Sequence, residues 1–195
     1  MILQKFALYP YSEETTRLYM KTTDDVVTDK EKVELKTLAK VNLETYFNLF
    51  SCLKWKKYVG VESVYLRLKL NGIVKVKIDH LQVKDGDVER HGVLNEEIQS
   101  DASGYVTSNE FTLPEEGMLG VMIEAVSESV LYEVDFSTDQ TGLEENDICI
   151  GIGICTFKRE KYVERNMNLL KEGILNNPAA EAYEHIKICI SDNAG

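Results

Sequence analysis

The strongest constraint on this chain is an alternation with a period of two. In "SVYLRLKL", Val64, Leu66, Leu68 and Leu70 alternate with Tyr65, Arg67 and Lys69; in "VKVKI", Val74, Val76 and Ile78 alternate with Lys75 and Lys77. Such a pattern lines one face of an extended strand with apolar groups and the other with charge, and no helix of 3.6 residues per turn can do the same. The two runs are read as half-buried antiparallel strands joined at Asn71-Gly72, a hairpin signal. A two-residue turn would set Leu68 opposite Lys75. A three-residue loop, Asn71 to Ile73, sets Leu70 opposite Val74 and Leu68 opposite Val76, so the pattern predicts the longer loop with a bulge. Further strands are expected at 117–126 and at 128–136, where Val130, Tyr132, Val134 and Phe136 would share a face, with turns at "KDGDVE" and "PEEG". Many short strands with regular turn signals predict an antiparallel β-sandwich, jelly-roll or barrel-like, over residues 1–136.

The grammar then changes. Residues 137–147, "STDQTGLEEND", are polar, acidic and aperiodic, and are read as a linker. "ICIGIGIC" is apolar on both faces, as in a parallel strand covered on both sides. Val163, Met167, Leu170 and Ile174 follow at spacings of four, three and four, which predicts an amphipathic helix. "IKICI" is a second strand. Residues 148–195 thus read as a βαβ unit opening an α/β domain. The expected class is α+β multidomain.

Charge narrows the partners. Residues 1–147 carry 16 basic and 27 acidic side chains, and the window between Arg90 and Lys158 holds 14 acids and no Lys or Arg. That field repels a phosphate backbone, which argues against nucleic acid. No apolar run is long enough to span a bilayer, and the N-terminus lacks the pattern of a signal peptide, so the expected location is cytoplasmic. Cys52, Cys149, Cys155 and Cys189 form no C-x-x-C pair and are read as buried free thiols. His80, His91 and His185 have no ligand spacing, and Asp85-Gly86-Asp87 reads as a turn.

In open α/β sheets ligands gather at the carboxyl ends of strands. Here those ends carry Thr156-Phe157-Lys158-Arg159 and Ser191-Asp192-Asn193-Ala194-Gly195. The first offers a hydroxyl, N–H groups at a helix start and two cations, all suited to an anion. The second offers a carboxylate that could accept from a nucleobase imide or a ribose hydroxyl. Gly151 and Gly153 lie inside the strand, so neither a dinucleotide fingerprint nor a Walker loop is present.

The stretch "IGIGICTFKRE…NLL…IKICISDNAG" resembles the start of a family 2 glycosyltransferase of the GT-A (Rossmann-like) fold. "VNLETYFNLFSCLKWKKYVGVESVYLRLKLNG" resembles the N-terminal β-domain of galactofuranosyltransferase-like enzymes. The resemblance implies a nucleotide-sugar donor, a UDP-sugar such as UDP-galactofuranose, and a glycan acceptor at the cell surface. It places Thr156, Phe157 and Arg159 against the UDP moiety and Asp192 near the uracil. Tyr46, Phe47, Asn48, Phe50 and Trp55 match the β-domain motif and are read as a packing cluster. The family's metal-binding Asp-x-Asp, its Mg or Mn ion and its catalytic base belong to sequence following the second strand. The chain is therefore expected to be a truncated N-terminal part with no catalytic residue or metal ligand of its own. A homo-oligomer and peripheral association with the inner membrane face are compatible with this reading. The alternative is a non-catalytic β-sandwich module, carbohydrate-binding or assembly-promoting, with a vestigial α/β tail.

Overall fold

The computed structural model describes residues 1–8, 16–29, 31–143, 149–176 and 185–192. The chain forms two compact units, Met1–Glu144 and Glu145–Gly195.

The first unit is built on one long strand. β7, Ser63–Lys84, runs 22 residues without interruption and pairs along nearly its whole length with β8, Asp87–Thr107. On its other edge β7 has two partners. Its first part pairs with β11, Ser129–Ser137, and its second with β10, Met118–Ala125, both antiparallel. Short strands extend each arm. β5 (Lys40–Asn42) and β6 (Phe50–Ser51) lie on β10; β1 (Ile2–Lys5) and β4 (Val33–Leu35) lie on β11. β2 (Lys21–Thr22) and β3 (Val26–Thr28) close the order β2-β5-β10-β7-β11-β4-β3, β9 (Phe111–Thr112) pairs with the start of β7, and two short helices, α1 (Thr16–Tyr19) and α2 (Cys52–Val59), connect strands. Val64, Leu66, Leu68, Leu70, Val74, Val76 and Ile78 are all fully buried, and they meet Val121, Ile123, Leu131, Val134 and Phe136 in one core cluster. The two arms therefore face each other across a shared core, which makes this unit an antiparallel β-sandwich.

Two expectations about register are corrected. Asn71-Gly72 does not close a hairpin. The chain passes straight through it, with Gly72 at φ +116° and a register shift against β8 between Leu70 and Gly72. Loops of odd length and unbroken strands both keep even-numbered residues on one face, so alternation could not separate them. Gly72 is required here because a Cβ would stand 2.3 Å from the Ser129 hydroxyl and 2.8 Å from the Glu128 carbonyl. The hairpin lies at "KDGD", where Asp85 (φ 52°) and Gly86 (φ 91°) form a two-residue turn between β7 and β8. In β11, a bulge between Leu131 and Glu133 reverses the alternation. Leu131, Val134 and Phe136 are buried, whereas Val130 and Tyr132 are only half-buried and do not share that face. The strand β8 was not read from the sequence at all. It is an edge strand carrying Glu89, Asn95, Glu96, Glu97 and Asp101, too polar to show an alternation.

Residues 137–143 are held against the sandwich. The Thr138 amide donates to the Met1 carbonyl at 2.9 Å, and the Gln140 side-chain amide donates to the Gly60 carbonyl at 2.8 Å. Residues 144–147 of the expected linker lie outside the described residues.

In the second unit β12, Cys149–Thr156, and β13, His185–Asp192, are parallel partners, with α3, Glu160–Leu170, between them in sequence. A π-helical turn, Lys171–Leu175, continues α3. Val163, Met167 and Leu170 are half-buried while their neighbours are exposed, which is the expected stripe. On β12, Ile152, Ile154 and Thr156 are half-buried, but Gly151, Gly153 and Cys155 are exposed. The strand thus has one covered face among the described residues rather than two. Cys155 and Cys189 are exposed free thiols, Cys52 is buried as expected, and the side chain of Cys149 lies outside those described.

Candidate functional site

The parallel register of the second unit brings the two sequence-predicted segments side by side. Thr156 and Asp192 are ladder partners at the carboxyl ends of β12 and β13. Asn193, Ala194 and Gly195 lie outside the described residues. After Thr156 the chain turns sharply, with Lys158 in the left-handed region (φ 51°), and Arg159 becomes the residue capping α3. Helix starts normally recruit Ser, Thr, Asp or Asn, whose oxygen accepts from the free N–H groups of the first turn. Arg159 has no acceptor to give and makes no capping hydrogen bond. The positive end of the helix is thereby left to whatever anion approaches, with the Arg159 and Lys158 cations beside it. The Thr156 hydroxyl oxygen is shielded from solvent and has no hydrogen-bond partner among the described residues. Phe157 is 58% exposed, with the Lys158 ammonium 5.3 Å from its ring centre. A phosphate-bearing ligand would satisfy the free N–H groups and both cations, while Phe157 offers a face for stacking.

The β-domain motif separates into two parts. Phe50 is fully buried, stacks on Trp55 at 5.7 Å and meets Phe136 at a tilt, 4.6 Å between ring centres; Phe136 in turn meets Phe6 and Phe111. Asn48 is also fully buried. Its Oδ1 accepts from the Ala7 amide at 2.8 Å, and its Nδ2 donates to the carbonyls of Ala7 (2.9 Å) and Tyr19 (2.6 Å). These residues do pack the core. Tyr46 and Phe47 do not: they are 80% and 48% exposed, in edge-to-face contact at 5.0 Å, with Phe47 stacked on Tyr19 at 4.7 Å. Asn48 must turn inward to bind the backbone, and the tight turn it closes forces the two residues before it outward.

Sequence reading missed two charged arrangements. Arg67 and Asp135 are ladder partners, and the guanidinium donates through Nε and Nη2 to a carboxylate that is only 1% exposed, while stacking 4.4 Å over Tyr105. Those hydrogen bonds hold the Arg67 guanidinium above its usual range. Glu44 and Arg90 form an ion pair at 2.7 Å across 46 residues of sequence. Nothing local signals either pair, because each depends on long-range register. Among the described residues, no group of three or more His, Cys, Asp or Glu is placed to hold a metal ion. Asp85 and Asp87 flank the β7–β8 turn, as expected. No described helix is long and apolar enough to cross a membrane.

The fold defines a β-sandwich module followed by a strand–helix–strand segment with an uncapped helix start. The chain belongs to the galactofuranosyltransferase 2 N-terminal family, whose model matches residues 4–137. No curated protein matches it in sequence. Among solved structures it is similar to the C-terminal family 6 carbohydrate-binding module of LamC, a laminarinase from Zobellia galactanivorans. The identity is 9%, with 63% of this chain and 94% of that one covered and a TM-score of 0.37. A family 29 carbohydrate-binding module from Piromyces equi shows 12% identity, covering 61% and 76%, with a TM-score of 0.33. A family two carbohydrate esterase from Cellvibrio japonicus shows 12% identity, covering 91% and 51%, with a TM-score of 0.37.

Proposed function

We propose that this chain is the N-terminal region of a glycosyltransferase that takes a nucleotide-sugar donor, a UDP-sugar such as UDP-galactofuranose, and transfers its sugar to a glycan acceptor. Membership of the galactofuranosyltransferase 2 N-terminal family supports the class. The observation that carries the donor assignment is the start of α3, where Arg159 occupies the cap without capping, beside Lys158 and a Thr156 hydroxyl that has no partner among the described residues. In this reading the free N–H groups, Lys158 and Arg159 take the diphosphate, Phe157 lies along the nucleoside, and Asp192 accepts from the base. These groups bind and orient the donor. The acceptor's proton and the departing diphosphate need a base and an electrophile supplied by other residues, with a divalent metal, Mg or Mn, in the second role.

The test is titration of the chain with UDP followed through backbone amide shifts. Perturbation of 156–161 and 192, with Arg159→Ala and Asp192→Ala each weakening the dissociation constant about tenfold or more, is the expected result, since a hydrogen bond to a charged group contributes about 1.5–3 kcal/mol. Unchanged affinity in both variants would place the donor elsewhere.

A further inference from the structure

The sandwich carries a groove of about 340 Å³, lined among others by Lys21, Asn42, Glu44, Leu81, Arg90 and Met118. It lies at the β7–β10 ladder, where Gly120 makes room for the Glu44 side chain. A Cβ there would stand 2.8 Å from Glu44 Cγ and 3.2 Å from a Leu81 methyl. Leu81 and Met118 are ladder partners and give the floor its apolar part. Glu44 is held over the glycine from two sides. Its backbone amide donates to Asn42 Oδ1 at 2.7 Å, and Oε2 of its carboxylate, 15% exposed, accepts from Arg90 Nη1 at 2.8 Å. Oε1 lies 2.7 Å from the same nitrogen but is shielded from solvent with no hydrogen-bond partner among the described residues, and Arg90 Nη2 and Nε make no hydrogen bond there. Among the described residues the Asn42 amide nitrogen is likewise uncommitted and Lys21 forms no ion pair. The groove therefore presents several donors beside a half-satisfied acceptor, above an aliphatic floor.

We infer that this groove binds one residue of a neutral oligosaccharide. A sugar ring carries hydroxyls around its edge, each both donor and acceptor, and an apolar C–H face. That matches a pre-paired carboxylate and guanidinium above Leu81 and Met118. Charge argues the same way. An anion would meet Glu44 and a cation would meet Arg90 and Lys21, so a ligand that hydrogen-bonds without carrying charge suits a lining of both signs. The loop that supplies Glu44 also presents Tyr46 and Phe47 at its crest. The stack of Phe47 on Tyr19 ties that loop to the segment carrying Lys21. Tyr46, two residues along the chain from Glu44 and 80% exposed, carries an aromatic face and a polar tip that suit a further sugar of the chain. This inference does not depend on the donor assignment in the second unit.

The experiment is an amide-shift titration of the whole isotopically labelled chain with a neutral galactofuranosyl tetrasaccharide, with a parallel titration by UDP. The expected result is saturable shifts at Lys21, Asn42, Glu44, Leu81, Arg90 and Met118 in the millimolar range. Glu44→Gln, which keeps the shape and removes the charge, should weaken binding about tenfold. Met118→Trp, which fills the floor from a partly exposed position, should abolish it, and thermal melting of each variant checks the fold. Absence of shifts at 20 mM sugar (about twenty times a millimolar dissociation constant), or shifts elsewhere that both folded variants retain, would overturn the assignment. UDP should leave these six residues unmoved. Its effect on 156–161 reports on the donor reading alone, so the two can fail separately.

Discussion

Asn48 offers the sharpest test of how the sandwich is held together. Its side chain is the hub between the segment after β1 and the end of the short helix Thr16–Tyr19. Asn48→Ala removes three hydrogen bonds at once. The Tyr19 carbonyl keeps a partner, because it also accepts from the Thr45 hydroxyl at 2.6 Å. The Ala7 amide and carbonyl lose theirs. A backbone group left unsatisfied costs about 1–3 kcal/mol, and two of them, only partly shielded from water, bring the expected loss to about 2–4 kcal/mol. That is a large share of a typical domain's total of about 5–15 kcal/mol. With a urea m-value of about 2 kcal/mol/M, the unfolding midpoint should fall by about 1–2 M with no change in slope. Trp55 is the only tryptophan and lies stacked on Phe50, so its fluorescence reports on this unit. Asn48→Asp sharpens the test. It keeps the acceptor for the Ala7 amide but turns a carboxylate towards two carbonyl oxygens. At pH 7 it should be no more stable than the alanine variant. It should recover as pH falls, because the raised folded-state pKa makes the protonated form the stable one. A cost below about 1 kcal/mol for Asn48→Ala, or an aspartate variant equal to wild type at pH 7, would refute the reasoning.

Three other perturbations probe different parts of the molecule. Gly72→Ala should destabilise the sandwich by about 2–5 kcal/mol, summing a disfavoured backbone conformation and the clash with Ser129, as measured by the same urea transition. Arg67→Met should cost about 3 kcal/mol by stranding the buried Asp135 carboxylate, whereas Arg67→Met combined with Asp135→Leu should recover most of that loss in a double-mutant cycle; strict additivity would contradict it. Burial pushes the Cys52 thiol up to about 12, so Cys155 and Cys189 should alkylate in the folded chain at pH 8.5 while Cys52 does not. Because only the unfolded thiol ionises between pH 9 and that value, wild type should lose stability relative to Cys52→Ala by about 1.4 kcal/mol per pH unit in that window; parallel pH profiles would exclude the shift.

The sequence alone determined whatever depends on local periodicity. The alternation of Val64, Leu66, Leu68, Val74, Val76 and Ile78 named the buried face correctly, since period two leaves a half-buried strand no other choice. The stripe Val163, Met167 and Leu170 did the same for α3, and the turn chemistry of "KDGD" placed a real turn. Only tertiary structure decided what a local signal leaves degenerate. Asn71-Gly72 can close a hairpin or relieve a strand that crosses between two arms, and the close approach of Ser129, 57 residues further on, selects the second. The bulge in β11 depends on its partner, so the reversal between Leu131 and Val134 was invisible in either strand taken alone. The charged β8 becomes a strand only because β7 offers it an edge. The candidate sites divide in the same way. Thr156 and Asp192 were legible because a parallel ladder puts successive strand ends together. Glu44 and Arg90 were not, because an ion pair across 46 residues exists only once the strands that carry it have found their register.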